Sequence, residues 1–318
     1  MQLDDDEEIV DITIDNKGVK LPKTGSKIGL IDADTIIYAS CSMLTYTEEL
    51  LPMDMYTDKE LEDIHNDPGY IEELGVVDGI DLEDAFRHSM EKIDYILGRT
   101  GCKDFELHFT IGRKSFPYTM VSKEYKANRT QLSQEDRPPY GIRLLKNLFL
   151  ERFPGKVFLN DLWEADHIVV CKKRDEYDKY ELIAVDKDVL KAIPGKMFNY
   201  YQSIKYNIDM KWIENTVEEA GKRYYVQTLT GDAGDNVIGL KGVGPKTAEK
   251  TLANCETLIE CWTAVVAMYV KKGRDEIDAI TNMRLVDMKQ LKLVDGEYKV
   301  ALWFPPIEGQ EEENYVVR

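Results

Sequence analysis

The sequence predicts an α/β protein with a mostly parallel central sheet, and three observations carry that expectation. Short strand-like apolar runs (IGLID, DFELHFT, KVFLN, YELIAV) alternate with stretches of helical apolar spacing, the pattern of a parallel sheet covered on both faces. Several of these runs end on acidic residues. From about residue 209 the chain reads as mainly helical, with a glycine-rich turn near its start and a late strand-like YKVALWFPP.

Taken in order, residues 1–27 form an acidic, polar arm that ends in LPKTGSK. Order is expected to begin with IGLIDADTIIYAS, a buried strand closed by Asp32 and leading into a helix. Residues 46–80 combine acids with chain breakers and read as a surface insertion. Over 81–98, Leu82, Phe86, Met90, Ile93 and Leu97 fall at helical spacing, with Asp81 as the cap and Gly98 at the end. DFELHFTIG alternates as a strand does, a basic block follows, and RPPYGIRLLKNLFLERF restarts a helix after its prolines. KVFLN, WEADHIVVCKKRDEY and YELIAVDKDVLKAI then read as strand, helix, and strand entering a helix. The expected organisation is an arm at 1–27, a core at 28–208 with its insertion at 46–80 and a basic arch at 113–140, and a helical region with a tail at 209–318.

The chain has 318 residues, 43% of them hydrophobic, enough to fill a substantial core. Its longest mostly apolar stretch, WTAVVAMYV, is too short to span a bilayer, and the acidic opening lacks the features of a secretory signal. A cytoplasmic protein without a membrane partner is expected. Cys41, Cys102, Cys171, Cys255 and Cys261 are scattered without a CxxC pair, which argues for reduced thiols rather than a disulfide framework or a structural zinc site.

A net charge of −18 argues against a nucleic-acid partner until its distribution is considered. Residues 1–111 carry −18 and residues 157–318 carry −6, whereas residues 112–156 carry +6. A polyanion responds to the potential within about 8–10 Å at physiological salt. A basic strip on an acidic body can therefore bind it.

Ligands of an open parallel sheet gather at the carboxyl ends of its strands, and acids cluster there. Asp32 closes the first strand, Glu164 and Asp166 open a helix just after another, and Asp186 and Asp188 follow LIAV. Asp232 and Asp235 precede the glycine turn at a spacing that lets one turn present both. Each pair alone reads as readily as a cap or a turn; their common placement points to one site. Converging carboxylates repel and raise one another's pKa, and divalent cations relieve that repulsion. Paired oxygen-ligated magnesium ions suit phosphodiester hydrolysis.

In LKGVGPKTAEKTL, Gly242 and Gly244 allow close backbone approach and Pro245 suits a first helical position. The amides of that helix start, with Lys246 and the Thr247 hydroxyl, can receive a phosphate oxygen, and Lys250 shares a face with Lys246.

Together these segments resemble the metal-dependent 5′ nucleases: the 5′-nuclease domain of bacterial DNA polymerase I, flap endonucleases and phage 5′→3′ exonucleases, most of all those of short-tailed bacteriophages. LIDAD resembles the family's first-strand acid motif, EYKANR its basic arch motif, WEADH its E-A-D-D and VDKDVL its D-K-D-L. TGDAGDNVIGLKGVGPKTA resembles its T-G-D-x-x-D-N and helix–three-turn–helix. The ordered resemblance covers about residues 28–250.

It implies a PIN-like α/β nuclease fold, two Mg²⁺ or Mn²⁺ ions, and hydrolysis at DNA 5′ ends or flaps, RNA–DNA hybrids included, in phage replication. It maps metal ligation onto Asp32, Glu164, Asp166, Asp186, Asp188, Asp232 and Asp235. Lys126 and Arg129 would steer the scissile phosphate, and Tyr125 would stack on a terminal base. Lys241, Gly242, Gly244, Lys246, Thr247 and Lys250 would grip duplex DNA, with a potassium ion on the turn carbonyls. Two departures stand out. The family often has an acid after the second strand, where this chain has Thr110 and Ile111, and His167 replaces the last Asp of E-A-D-D. An active enzyme is expected, the alternative being a non-catalytic DNA-end-binding protein with the same fold. A helix–hairpin–helix glycosylase leaves the acids at strand exits unexplained.

Overall fold

The computed structural model describes residues 27–72, 75–112, 115–131, 138–307 and 314–317. The acidic arm, apart from Lys27, and part of the arch, at 113–114 and 132–137, lie outside them.

The chain enters through β1 (Ile28–Asp32) and α1 (Asp34–Leu44). Residues 46–80 then leave the central sheet. β2 (Thr45–Glu49), α2 (Asp58–Asn66), β3 (Tyr70–Ile71) and β4 (Val76–Ile80) build a small antiparallel sheet of order β2-β4-β3, with α2 started by a reciprocal Thr57–Glu60 capping box. α3 (Leu82–Thr100) begins where the Asp81 carboxylate accepts the Asp84 N–H at 2.9 Å. It runs through Gly98 and stops at Gly101, which takes the left-handed conformation (φ 75°) that ends helices. Gly98 was the expected end, but glycine inside a helix costs only about 1 kcal/mol relative to alanine. Packing of Ile96 and Leu97 against the core carries the helix past it.

β5 (Asp104–Thr110) follows, then the described part of the arch, with a π-helical turn at Pro117–Val121 and a 3₁₀ turn at Ala127–Gln131. Next come α4 (Ile142–Arg152), β6 (Val157–Asn160), α5 (Ala165–Asp175), β7 (Tyr180–Ala184), α6 (Lys187–Leu190) and β8 (Gly195–Asn199). β9 (Lys211–Asn215) returns antiparallel beside β8, so the sheet extends past residue 208. The central sheet has the order β6-β5-β1-β7-β8-β9 and is parallel except at β9.

The remaining chain gives α7 (Val217–Thr230), the two-residue strands β10 (Gly231–Asp232) and β11 (Val237–Ile238), and helices α8 (Pro245–Leu252), α9 (Leu258–Lys271) and α10 (Glu276–Val286). β12 (Leu291–Val294), β13 (Glu297–Phe304) and β14 (Asn314–Val317) close it as an antiparallel sheet.

Because successive strand residues point to opposite faces, adjacent residues of β1 serve different cores. Ile31 joins Leu107, Phe109, Ile93 and Phe149 on the face covered by α1, α3 and α4. Leu30 joins Leu182, Val169, Leu229 and Val265 on the face covered by α5, α7 and α9. Truncating either to alanine removes buried volume worth roughly 2–5 kcal/mol. β5 is buried on both faces, as expected of a strand in a sheet covered on both sides. Its polar residues Glu106 and His108 are 9% and 2% exposed, because α5 covers them and supplies Lys172 as a partner.

Candidate metal centre and nucleic-acid interface

The carboxyl ends of β1 and β7, the N-terminus of α5 and the β10–β11 turn surround one cleft of about 1000 Å³. Asp32, Glu164, Asp166, Asp186, Asp188, Asp232 and Asp235 all line it, with Tyr125, Lys126, Arg129 and Asp34. Seven acids spread over 204 positions of sequence, from 32 to 235, thus share one cavity. Burial, and then the charges of Asp34, Asp166 and Asp186, push the Asp32 carboxyl well above the usual range. Burial likewise raises Asp186, helped by Asp188 and Asp166, although its carboxylate accepts the Asp188 N–H at 2.6 Å as the cap of α6.

Glu164 occupies the N-cap position of α5 and is 7% exposed. It accepts from Ser115 Oγ at 3.0 Å, from the Tyr125 hydroxyl at 3.2 Å and from Lys126 Nζ. Burial alone would raise Asp166, but His167 outweighs it, donating to Oδ1 through its N–H at 2.6 Å and its Nδ1 at 2.8 Å, and the pKa falls to about 2. Asp166 in turn keeps the buried His167 above its ordinary value, against desolvation. The His167 ring packs edge-on against Phe116, with centroids 4.9 Å apart. His167 therefore both packs and orients Asp166. Glu164, Asp166 and His167 each offer an atom within 4.8 Å of the others, a grouping that could hold a metal ion.

The arch closes the other side of the cleft. Arg129 Nη2 donates to Asp235 Oδ1 at 2.6 Å, and Lys126 Nζ lies 3.7 Å from Asp235 Oδ2. Burial raises Asp235 in spite of these two cations. The backbone fixes this docking: the Lys126 N–H donates to the Asp235 carbonyl at 2.9 Å, and Asn128 Nδ2 donates to the Ala233 carbonyl at 3.1 Å. Lys126 adopts a left-handed φ of 55°, a conformation that costs a non-glycine residue on the order of 1–3 kcal/mol. Tyr125 overturns the stacking expectation. It is 4% exposed and its hydroxyl shares one proton between the Glu164 and Asp235 carboxylates, at 3.2 Å and 3.0 Å, so its ring is buried rather than open to a base.

Asp232 accepts from the Gly234 N–H at 2.9 Å and from Gln227 Nε2 at 3.1 Å. Gln227 also donates to Asp188 at 3.4 Å, and Arg223, one helical turn earlier on α7, donates to Asp188 as well. Gly231 is required here: with φ at 73°, a Cβ would lie 2.3 Å from the Val237 carbonyl oxygen. Sequence reading missed Asp34, Lys146, Arg223 and Gln227. Of these, only Asp34 carried a signal, its place two residues after Asp32 in LIDAD.

Lys241, Gly242, Gly244, Lys246, Thr247 and Lys250 do not line the cleft; they are exposed around the start of α8. Gly242 has φ 76°, Pro245 occupies the first turn, and Val243 is buried beneath them as an anchor. The positive end of the helix dipole beside exposed Lys246 and Lys250 favours an anion here, although the Thr247 and Ala248 N–H groups already donate to the Gly244 carbonyl at 3.0 Å. Lys272 of the α9 cap donates its Nζ to the Lys241 carbonyl at 2.9 Å, so that carbonyl already faces a positive charge.

No family model matches the chain. Part of it is similar to DNA polymerase I of Rhizobium leguminosarum, 29% identical over 179 residues that make up 53% of this chain and 17% of that protein. Thermostable DNA polymerase I of Thermus aquaticus is 30% identical over 183 residues, 53% of this chain and 19% of that protein. The chain thus spans less than a fifth of the length of these relatives. Among solved structures, T5 5′-exonuclease with bound zinc overlays at TM-score 0.48 and 17% identity, covering 63% of this chain and 80% of the other. The catalytic core of Rad2 with a DNA substrate overlays at TM-score 0.42 and 13% identity, covering 83% and 74%.

Proposed function

We propose that this protein is a divalent-metal-dependent 5′ nuclease with the PIN-like core its motifs imply, hydrolysing phosphodiester bonds at the 5′ ends or flaps of DNA. The observation that carries the proposal is the convergence of the seven acids in a cleft that Lys126 and Arg129 border. Similarity to DNA polymerase I over half of the chain supports it.

The donor set fits the cofactor. Magnesium and manganese take carboxylate oxygens, and Asp32 and Asp186 are destabilised by neighbouring negative charge that such ions would neutralise. When bound, the ions supply Lewis-acid activation of water and stabilisation of the departing oxygen. Asp32, Glu164, Asp166, Asp186, Asp188, Asp232 and Asp235 would hold them. His167 keeps Asp166 ionised and aimed into the cleft. Tyr125 fixes the spacing of Glu164 and Asp235. Lys126 and Arg129 would orient the scissile phosphate and meet its developing charge. A potassium ion fits the α8 turn poorly, since the Lys272 ammonium already occupies the Lys241 carbonyl; Lys246 and Lys250 would meet a phosphate there.

In this reading the nuclease core runs from residue 28 through β9, which completes the central sheet, and the helices after it bring the duplex grip. Thr110, in place of an acid at the end of β5, favours the second reading of an inactive DNA-end binder. A 5′-labelled blunt, nicked or flapped duplex, incubated with Mg²⁺ and with EDTA, separates the two. Cleavage only with Mg²⁺ is expected, mononucleotides marking exonuclease action and released flaps endonuclease action. A substrate that is shifted on a gel but uncut contradicts the enzyme reading.

A further inference from the structure

β1 and β7 send Asp32 and Asp186 into the cleft from their carboxyl ends, but β5, paired directly with β1, ends in Thr110. The Thr110 hydroxyl is committed elsewhere. It accepts the N–H of Ala165, the first residue of α5, at 2.9 Å.

A carboxylate nevertheless stands at the end of β5. Asp34, the first residue of α1, lines the cleft, and the Thr110 N–H lies 3.3 Å and 3.1 Å from its two oxygens. Lys146 of α4 fixes it there, donating Nζ to Asp34 Oδ1 at 2.6 Å and to the Thr110 carbonyl at 2.8 Å. Lys146 is 7% exposed. A buried ammonium is unfavourable unless it is paired and hydrogen-bonded, and these two acceptors meet both needs. They also tie α1, β5 and α4 together, so the Asp34 carboxylate cannot swing away. An ionised carboxylate has about four acceptor sites. The donors here use only part of that capacity, and the Asp34 side chain remains 35% exposed toward the cleft.

We propose that Asp34, positioned by Lys146 and the Thr110 N–H, is a further carboxylate of the divalent-ion centre, delivered from α1 to the strand end where β5 has no acid of its own. The proposal rests on the metal-dependent reading given above. Lys146 is a positioning residue: it acts on the ions through Asp34 and touches neither them nor the substrate. If the pair merely stitched α1 to α4, its loss would change stability and leave ion affinity alone.

The test is titration of the full-length protein with Mn²⁺ alone, without DNA, followed by calorimetry and by the paramagnetic resonance of free Mn²⁺, alongside thermal melting in EDTA. Asp34→Asn keeps an oxygen for Lys146 and Thr110 but removes the charge. Its affinity for at least one ion should fall about 10- to 100-fold, the scale seen when metal-site partners are lost. Asp34→Asn combined with Lys146→Met leaves no unpaired buried ammonium and should show the same loss in a well-folded protein. Adding Thr110→Asp to Asp34→Asn places an acid on β5 itself and should restore the affinity. Wild-type Mn²⁺ affinity in both Asp34 variants overturns this inference while leaving the proposed function standing. Absence of Mn²⁺ binding by the wild-type protein overturns both.

Discussion

Glu106 and Asp32 stand on neighbouring strands of one sheet, and their surroundings move them in opposite directions. Desolvation opposes ionisation of Glu106, yet His108 Nε2 at 2.7 Å, the Tyr180 hydroxyl at 3.0 Å and Lys172 surround it, and its carboxyl falls to about 2. Asp32, in register with His108, is pushed up by burial first and then by the charges of its neighbours Asp34, Asp166 and Asp186. The first cluster is closed upon itself, with every charge met from within the protein. The second is left with an excess of negative charge on the open side of the sheet. A buried acidic cluster is therefore informative through its balance: matched by cations it belongs to the scaffold, and holding more acids than cations it awaits a cation from solution. The cleft is of the second kind, although Lys126, Arg129, Lys146 and Arg223 each pair with one of its acids.

Removing charge from the open cluster should have the largest effect. Asp186→Asn with Asp188→Asn should lower Mg²⁺-dependent cleavage by more than the roughly 100-fold that loss of an outer metal partner can cost, measured by single-turnover assay on a 5′-labelled duplex. In EDTA the same protein should stay folded, the repulsion relieved at Asp186 offsetting part of what is lost with the Asp188–Arg223 pair. Undiminished cleavage would break the assignment of the cleft.

The closed cluster should respond in stability instead. Glu106→Gln leaves Lys172 without its carboxylate, and breaking one side of a buried pair costs about 3–5 kcal/mol, to be read from urea denaturation. The sign of its pH dependence follows from the depressed pKa. Stability contributed by Glu106 is complete above the ordinary glutamate value of 4.5 and is lost as pH falls through about 2. Over that window the Glu106→Gln variant should lose less stability than wild type.

A smaller effect is expected at the α8 turn. Lys246→Ala with Lys250→Ala should weaken DNA binding and flatten the dependence of log K on log salt by about 1.8, or 0.9 for each phosphate no longer neutralised, while single-turnover cleavage of bound DNA stays at the wild-type rate. An unchanged salt slope would remove this turn from the interface.

The parallel sheet and the acids at its strand exits were legible because both are local. An apolar run ending in Asp, as IGLID does, fixes strand, direction and exit at once. What could not be read depended on residues far apart in sequence. Lys146 reaches Asp34 across 112 positions and Arg223 reaches Asp188 across 35, and no periodicity announces either pairing. Glu106 and His108 alternate with apolar residues in DFELHFT, and nothing local announces what meets them, since Lys172, which closes that face, lies 66 residues from Glu106. Tyr125 misled for a related reason: an aromatic beside basic residues suits base stacking, and only the docking of the arch on Ala233–Asp235 turns its hydroxyl inward.

The contrast between a closed and an open charge cluster is tested most directly by melting the full-length protein, without DNA, over a series of Mg²⁺ concentrations and in EDTA. Ions that bind the folded state stabilise it by RT ln(1 + [L]/Kd), about 2.7 kcal/mol at 100 times Kd. The account predicts a melting temperature that climbs with Mg²⁺ in the wild type and in Glu106→Gln, but not in Asp186→Asn with Asp188→Asn. A wild-type melting temperature indifferent to Mg²⁺ and Mn²⁺ would contradict it.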